Sequence, residues 1–546
     1  MPPTPAIPPH RDESLVRDSG AACAQDRGDA VPPRGDAVRG RADTRGPEHA
    51  DARVPAREDA LAQDSGPART QDRGTARVRG REDPLVRDRG DACPGALRLH
   101  SAADGSLARL RLPAGLLTPA QARALADAAD RLGDGHLSLT SRGNVELRGL
   151  GDGCAAPLAD LLRTAGLLPS DQHERIRNIV ASPLAGLDGQ GADGGAAVQE
   201  WARELDRLLC ASDTAPALSG RFLFALDDGR GDVAALGGDV TLVAEPGGTA
   251  LLRVGDDSAA LRLPGSEATR AARTAAEVFL SVAHEAGNGS WRVRELPPGH
   301  DAAAVRALLR TRLPQPYETT AAPAPTAPRP PRPGIFTAPD GTRAALSLLA
   351  PLGRLTTAQL RRLADVAAQD GHGELRMTPW RGVVLPGLSP EAAGPRLRAL
   401  ATAGLVTDPA SPWYGLGACT GRPGCAKSLS DVRTDAVTGL RTDGTGGPPG
   451  DGTGARREDT GPREDGTAPH RTGGTGLLPV HWSGCARRCG HPHGAWVDVV
   501  ATGDAYEVSV QGTRHAAPAT ATVPLTEPGR LADAVASARA AGRTTP

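Results

Sequence analysis

The chain has 546 residues and a formal net charge of -1, so it can form several domains, and its overall charge does not favour a nucleic acid or a membrane surface as partner. It contains no apolar run of about 18 residues and its first residues lack an apolar stretch, so we expect neither a membrane span nor a secretory signal. Eight cysteines are too few for a disulfide scaffold and favour metal ligands in a reducing cytoplasm.

Composition divides the chain into an extension and two halves. Residues 1–91 repeat Arg-Gly-Asp and Asp-Arg-Gly fragments without apolar periodicity, which predicts a disordered extension. Arginine-glycine repeats also suit RNA contact, but this segment has no aromatic residue and its acidic residues balance the arginines. The predicted boundaries are half-domains at 92–168 and 334–406, mixed α/β domains at 169–313 and 407–546, a Pro/Ala-rich linker at 314–333, and a disordered insertion at 441–476.

An internal repeat relates the two halves at a constant offset of 238 residues. Leu117 matches Leu355, and Thr118 matches Thr356 at the start of a predicted helix. Each copy has the predicted order strand, helix, strand, strand, helix, which is typical of an α+β, ferredoxin-like half-domain. We therefore predict two ferredoxin-like half-domains related by a pseudo-two-fold axis, each followed by a mixed α/β domain.

Two short cysteine motifs lie near the C-terminus, Cys419-x5-Cys425 and Cys485-x3-Cys489. Four thiolates in glycine-containing loops suit a [4Fe–4S] cluster, because the glycines let backbone amides approach the sulfurs. Zinc also binds four cysteines, usually at spacings of about two to four residues. A cluster, a zinc site and unligated thiols are therefore the three interpretations, with the cluster favoured by the spacing.

Further motifs extend the pattern. Thr140-Ser-Arg142-Gly-Asn144 and Arg177-Asn178, together with the four cysteines, resemble the sulfite/nitrite reductase superfamily. The segments that begin Cys93-Pro-Gly-Ala and Leu375-Arg-Met-Thr are similar to the precorrin-3B synthase family within it. The resemblance covers about residues 93–530 apart from the insertion, and it implies a reductase-type fold with the cluster on the four cysteines.

The resemblance also implies an anion pocket. In the reductases two arginines and two lysines surround a small anion bound at siroheme; Arg142 and Arg177 match the arginines, while Arg221 and Leu223 stand at the lysine positions. Loss of one cation favours a tetrapyrrole with many carboxylates over sulfite. The predicted catalytic residues are Arg142, Arg177 and Arg221, and the predicted substrate-binding residues are Arg142, Asn144, Arg148, Arg381 and Lys427.

The implied activity is hydroxylation of precorrin-3A by dioxygen, followed by lactone closure, in aerobic cobalamin biosynthesis. A mononuclear non-haem iron is expected as well, for which His491 and His493 are candidate ligands, although a Gly-His-Pro-His turn also suits a surface loop. Since no dinucleotide-binding fingerprint occurs, the electrons should come from an external ferredoxin or flavoprotein. The alternatives are a siroheme-dependent sulfite or nitrite reductase and a zinc-stabilised binding module.

Overall fold

The sequence repeat folds as two ferredoxin-like halves that exchange strands. The computed structural model describes residues 91, 93–192, 197–324, 330–442, 477–492, 494–512 and 521–541. The extension predicted at 1–91, except for Asp91, and the predicted insertion from residue 443 onwards lie outside the described residues.

Each half has the same order of elements. The first half contains β1 (His100–Ala102), β2 (Gly105–Leu110), β3 (Leu116–Leu117), α1 (Pro119–Leu132), β4 (His136–Leu139), β5 (Val145–Leu150) and α2 (Ala155–Thr164). The first α/β domain contains β6 (Ile179–Ala181), α3 (Val198–Cys210), β7 (Phe224–Asp227), β8 (Val240–Glu245), β9 (Thr249–Val254), β10 (Ala259–Pro264), α4 (Ala268–Ala286), α5 (Ala302–Arg312) and β11 (Glu318–Ala321).

The second half contains β12 (Gly334–Thr337), β13 (Ala344–Leu349), β14 (Arg354–Thr356), α6 (Thr357–Gln369), β15 (Leu375–Met377), β16 (Gly382–Leu388) and α7 (Pro390–Thr402). The second α/β domain contains β17 (Leu416–Ala418), α8 (Val432–Thr442), β18 (Val480–Ser483), β19 (Trp496–Ala501), β20 (Ala505–Gln511), β21 (Ala521–Pro524) and α9 (Pro528–Ala541).

The same cap starts the first long helix of each half. The Thr118 hydroxyl accepts a hydrogen bond from the Gln121 backbone N–H at 3.2 Å, and the Gln121 side chain accepts one from the Thr118 N–H at 3.0 Å. Thr356 and Gln359 repeat both bonds at 3.1 and 3.0 Å. These capping boxes satisfy N–H groups that the first helical turn leaves unpaired, so the local sequence sets both helix starts.

A strand exchange joins the two halves. The first sheet has the order β1-β2-β5-β4-β14 and the second has β12-β13-β16-β15-β3, so each receives a short strand from the other half. All of these pairings are antiparallel.

Helices α1 and α6 pack together in one hydrophobic core that both halves share, where Leu125 and Leu363 are fully buried. Arg123 pairs with Asp365 at 2.7 Å, and Arg361 pairs with Asp127 at 2.6 Å. Since the offset of 238 converts one pair into the other, the contact is isologous, as a two-fold axis requires. The predicted duplicated fold is confirmed in this respect.

The two α/β domains use one strand plan. The first has the order β11-β10-β9-β8-β7-β6 and the second has β17-β18-β19-β20-β21. In both, the first three strands in sequence are parallel and the next are antiparallel. Strand β11 lies inside the predicted linker 314–333, so the first α/β sheet extends into that segment. It is held by four residue pairs with β10, and Glu318 forms an ion pair with Arg262 at 2.9 Å.

Within the described part of the chain, no helix is long and apolar enough to cross a membrane.

Candidate metal-cluster and arginine site

The two cysteine motifs meet at one edge of the second α/β sheet. Cys419 follows β17, while Cys485 and Cys489 follow β18, and these neighbouring strands run parallel. Because parallel strands end at the same edge, the thiols of both motifs are brought to one place. The backbone N–H of Gly484 donates to the Cys419 sulfur at 3.2 Å, which is the kind of amide-to-sulfur contact that supports a thiolate ligand.

Backbone contacts fix the two cysteine loops against each other. Leu429 N–H donates to the Gly484 carbonyl at 2.7 Å, which links the first loop to the second. A Cβ on Gly484 would lie 1.8 Å from the Ser428 hydroxyl, so only glycine fits there. Arg433 donates to the Cys419 carbonyl at 3.2 Å. The cysteines are thus held by neighbours on both sides.

The four thiols of the two motifs are neighbours. Partial desolvation raises the pKa of Cys489, and the charges of Cys419, Cys485 and Cys425 act in the same direction. Among the described residues, which include all four of these cysteines, no three cysteine sulfurs lie within 4.8 Å of one another.

Arg381, predicted to bind substrate, lies instead beside the second cysteine loop. Its guanidinium donates to the carbonyl of Gly490, the residue after Cys489. His481 Nε2 is 3.0 Å from the Cys489 carbonyl. Burial, followed by the charge of Arg381, lowers the pKa of His481 to about 3, so this imidazole is neutral and donates to that carbonyl.

Five arginines lie close together near the half-buried thiol of Cys93, on which Arg111, Arg142 and Arg221 act directly. Two of them form ion pairs: Arg109 with Glu146, and Arg292 with Asp239. Arg221 lies over the ring of Trp291, with its Cζ atom 4.6 Å from the ring centroid. We call this set the arginine cluster: Arg109, Arg111, Arg142, Arg221 and Arg292.

Two members of the arginine cluster keep donors without a partner. The side chain of Arg142 forms no hydrogen bond or ion pair with any described residue, and Nη1 of Arg111, whose side chain is only 4% exposed, has none either. Burial and then the charge of Arg292 lower the pKa of Arg142 to about 10. Burial and then Arg109 lower that of Arg111 to about 9. In both cases burial and neighbouring arginines outweigh the attraction of nearby carboxylates, Asp239 for Arg142 and Glu146 for Arg111. A bound anion would stabilise both charges.

Two predicted site arginines form ion pairs within the protein. Arg177, predicted to act in catalysis, forms two hydrogen bonds of 2.6 Å with Asp206 and is 5% exposed. Arg148 forms an ion pair with Asp104 at 2.9 Å and donates to the Gly424 carbonyl. Both arginines are therefore paired with carboxylates, and the roles assigned to them from the sequence stay predictions.

The side chain of Asn144 also forms hydrogen bonds within the protein: it accepts from the Leu112 N–H at 2.9 Å and donates to the Asn178 side chain at 3.1 Å. Lys427 is exposed beside the first cysteine loop and has no partner among the described residues. The ring of His491 stacks on Trp496 with centroids 4.5 Å apart, and His493 lies outside the described residues.

Sequence reasoning missed Arg111 and Arg292. Arg111 had a visible signal, because it interrupts the apolar residues Leu110 and Leu112 directly before Pro113. A buried arginine in such a stretch is expected only where polar or charged groups interact with it. Arg292 carries no comparable local signal.

Known proteins share the duplicated half-domain fold described above. The sequence matches the family "Nitrite/Sulfite reductase ferredoxin-like half domain" at residues 100–165 and again at 337–403, so the chain carries two copies of that half domain. The structure of the Mycobacterium tuberculosis NirA protein has the same fold, with a TM-score of 0.59 and 18% identity over 78% of this chain and 79% of that one. The predicted fold class is confirmed.

Two individual proteins are similar to this chain over most of its length. The chain is 27% identical to precorrin-3B synthase from Sinorhizobium sp, over 79% of this chain and 84% of that protein. It is 26% identical to ferredoxin–nitrite reductase from Synechococcus elongatus, over 71% of this chain and 74% of the relative. The predicted resemblance to precorrin-3B synthase and to the sulfite/nitrite reductase superfamily is confirmed.

Proposed function

We propose that the protein is an oxidoreductase of the precorrin-3B synthase type, which uses a [4Fe–4S] cluster on Cys419, Cys425, Cys485 and Cys489. The observation that carries the proposal is the convergence of both cysteine loops at one sheet edge, where the thiols of Cys419, Cys425 and Cys485 act electrostatically on that of Cys489. When bound, such a cluster supplies electrons one at a time. The similarity to precorrin-3B synthase supports the choice of substrate class.

The residues of the chain would bind and orient the substrate. We propose that Arg142 and Arg111 receive carboxylates of a tetrapyrrole, because guanidinium groups bind carboxylates through paired hydrogen bonds. Arg221, exposed above Trp291, is a third candidate. Leu223, 3% exposed and packed in a small apolar cluster with Trp380, would give the macrocycle an apolar neighbour.

The reaction proposed is the conversion of precorrin-3A to its hydroxylated lactone. One dioxygen, two electrons and two protons are consumed; one oxygen atom enters the macrocycle as a hydroxyl and the other leaves as water. The ring acetate then closes the lactone without further electrons. The electrons come from a separate ferredoxin or flavoprotein, and we expect the enzyme to work in the cytoplasm. A mononuclear non-haem iron remains part of the proposal, without assigned ligands.

A siroheme-dependent sulfite or nitrite reductase is the second candidate. The unpaired Arg142 would suit a small anion, and ferredoxin–nitrite reductases are among the relatives. Leu223 argues against it, because a buried leucine stands where the resemblance implies a lysine. Arg177 argues against it as well, since Asp206 already neutralises that side chain.

One preparation tests both candidates. We expect anaerobically purified protein to be brown, to contain iron and acid-labile sulfide, and to convert precorrin-3A to a product one oxygen atom heavier when dioxygen and a reductant are added. A siroheme absorption band with nitrite or sulfite reduction would support the second candidate instead. Absence of sulfide would reject both and favour the zinc-stabilised binding module.

Replacement of the unpaired arginine tests the pocket. In Arg142→Leu we expect kcat/KM for the tetrapyrrole to fall about 10–100-fold, because a hydrogen bond to a charged group contributes about 1.5–3 kcal/mol. The iron and sulfide content should stay that of the parent. Arg163→Leu is the matched control, since Arg163 is a surface arginine paired with Asp160 and Asp171. Equal activity of the two variants would contradict the assignment.

A further inference from the structure

We infer that Arg381 is a positioning residue for the cluster: its side chain holds the loop that carries Cys489, and its positive charge raises the reduction potential of the centre. The inference rests on the cluster of the proposed function and replaces the substrate-binding role predicted for this arginine.

The backbone at Arg381 is in a conformation that favours glycine. Its φ is +59°, in the left-handed region, and the residue at the repeat-related position of the first half is Gly143, with a φ of +68°. A long side chain in this region costs about 1 kcal/mol or more and is usually retained where the surroundings use it. The second half thus has an arginine at a turn position whose backbone conformation favours glycine, the residue found in the first half.

Two glycines make room for the Arg381 side chain. A Cβ on Gly353 would lie 2.3 Å from Arg381 Cδ, and a Cβ on Gly490 would lie 2.5 Å from its Nη2. Gly353 belongs to the second half, and Gly490 follows the second cysteine motif. The side chain of Arg381 therefore reaches the second cysteine loop through space that two distant glycines leave open.

Arg381 and His481 hold consecutive carbonyls at the end of the second cysteine motif. Arg381 donates to the carbonyl of Gly490, and His481 donates to the carbonyl of Cys489 at 3.0 Å. Since Cys489 itself is exposed, these two bonds compensate for missing burial and limit the motion of its backbone. A ligand held in this way keeps its sulfur in place when the centre changes charge.

Arg381 forms no ion pair with a carboxylate in the described part of the chain. Burial lowers its pKa, and this effect outweighs the attraction of the Glu146 carboxylate. A partly desolvated cation beside a centre that gains an electron stabilises the reduced form, because both solvent screening and a counter-charge are reduced. Arg381 should therefore shift the potential in the positive direction.

The test compares variants that separate charge from shape. Arg381→Gly introduces the residue that the first half has at the equivalent position, Gly143. Arg381→Gln keeps an amide donor without the charge. We expect both to have a midpoint potential more negative than the parent, measured by redox titration of the cluster signal in electron paramagnetic resonance. We expect Arg381→Gly also to lose iron faster to a chelator. Arg343→Gly is the control, since Arg343 donates to a carbonyl at Gly387, on a residue outside the cysteine loops.

The outcomes are distinct. A parent protein without iron and sulfide would overturn the proposed function itself. A parent with a cluster, together with Arg381→Gln at the parent potential, would overturn only the inference about Arg381. If Arg381→Gly cannot retain iron, the holding role is supported, and Arg381→Gln alone decides the effect of the charge. A shift in Arg343→Gly equal to that in Arg381→Gln would also contradict the inference, because it would show a general effect of removing an arginine.

Discussion

The same edge of the two α/β domains carries carboxylates in one and the cysteines of the proposed cluster in the other. Ser182 follows β6 as Cys419 follows β17, and the match extends to hydrogen bonds. The Asp228 N–H donates to the Ser182 hydroxyl at 3.1 Å, and the Gly484 N–H donates to the Cys419 sulfur at 3.2 Å. The backbone contact made by the proposed ligand Cys419 in the second domain is thus made by a serine in the first.

In the first domain carboxylates fill the space that cysteines occupy in the second. Ser182 donates to Asp232 at 2.6 Å. Asp228 forms an ion pair with Arg230 at 2.7 Å. Asp227 accepts hydrogen bonds from four backbone N–H groups, those of Gly229, Gly231, Val233 and Ala234. The shared strand order therefore places two loops side by side at the same edge in both domains. The residues of those loops determine whether the edge is filled by carboxylates or carries the cysteines of the proposed cluster.

The largest expected effect comes from making the second edge resemble the first. In Cys419→Ser we expect loss of the iron–sulfide chromophore and a decrease of more than about 100-fold in turnover, because changes outside the ligand set alone cost about 10–100-fold. Metal and sulfide analysis with a turnover assay measures this. Cys210→Ser, at a half-buried thiol on α3, should keep the parent's iron content. Full iron content in Cys419→Ser would break the comparison.

Removal of the carboxylate that closes the first edge should affect stability instead of iron content. In Asp227→Ala four backbone N–H groups lose their acceptor, and that of Val233 is buried, so we expect the free energy of unfolding to fall by about 1–3 kcal/mol. Urea denaturation measures it, with Asp213→Ala, at an exposed position of the same domain, as control. If iron were lost from the folded Asp227→Ala variant, the two edges would not be independent.

A smaller effect should depend on pH. Burial, and then the charge of Asp227, raises the pKa of Asp232 to about 7. The folded state therefore holds a proton that the unfolded state releases above about pH 4, so this contribution to stability is present at low pH and lost as pH rises towards 7.

Asp232→Asn should remove that loss. The difference in the free energy of unfolding between variant and parent should grow with pH between about 4 and 7, by at most about 1.4 kcal/mol per pH unit. Denaturant titrations at several pH values test this, with Asp213→Asn as control. A difference that does not change with pH would mean that Asp232 is ionised in the fold.

The smallest effect is expected where the halves are most alike. Arg123 and Asp365 are each more than 40% exposed, so Arg123→Ala should change the free energy of unfolding by less than about 0.5–1 kcal/mol. A double-mutant cycle with Asp365→Ala measures the pair directly. A coupling energy well above that range would show that the symmetric ion pairs, and not the shared apolar core, hold α1 against α6.

Much of the fold could be read from local sequence. The capping boxes at Thr118 and Thr356 act within four residues, so the repeated helix start was predictable. The two cysteine motifs were visible as well, whereas the parallel strands that bring them together were not predicted. The exchange of β3 and β14 was not, because strands of two and three residues have no periodicity of their own. They become strands only when the other half provides a partner.

The arginines show the limit for the site. Arg142 and Arg177 belong to similar motifs, yet only the fold places Asp206 against Arg177 and leaves Arg142 without an ion-pair partner among the described residues. Ion-pair partners come from residues distant in sequence, so a motif identifies a cation but not whether it is available. The hydrogen bond of Arg381 to a carbonyl 109 residues away was not predictable for the same reason.

The exchanged strands also constrain how the fold can be assembled. A chain with only one repeat would carry a short strand whose sheet belongs to another copy, and a sheet whose last strand is missing. The smallest closed unit is therefore two repeats, either as one chain or as a symmetric dimer of half-length chains. Cleavage between the halves should accordingly yield fragments that are stable only when they associate. In the same way, a duplicated ancestor of this fold would have been a dimer before it became a single chain.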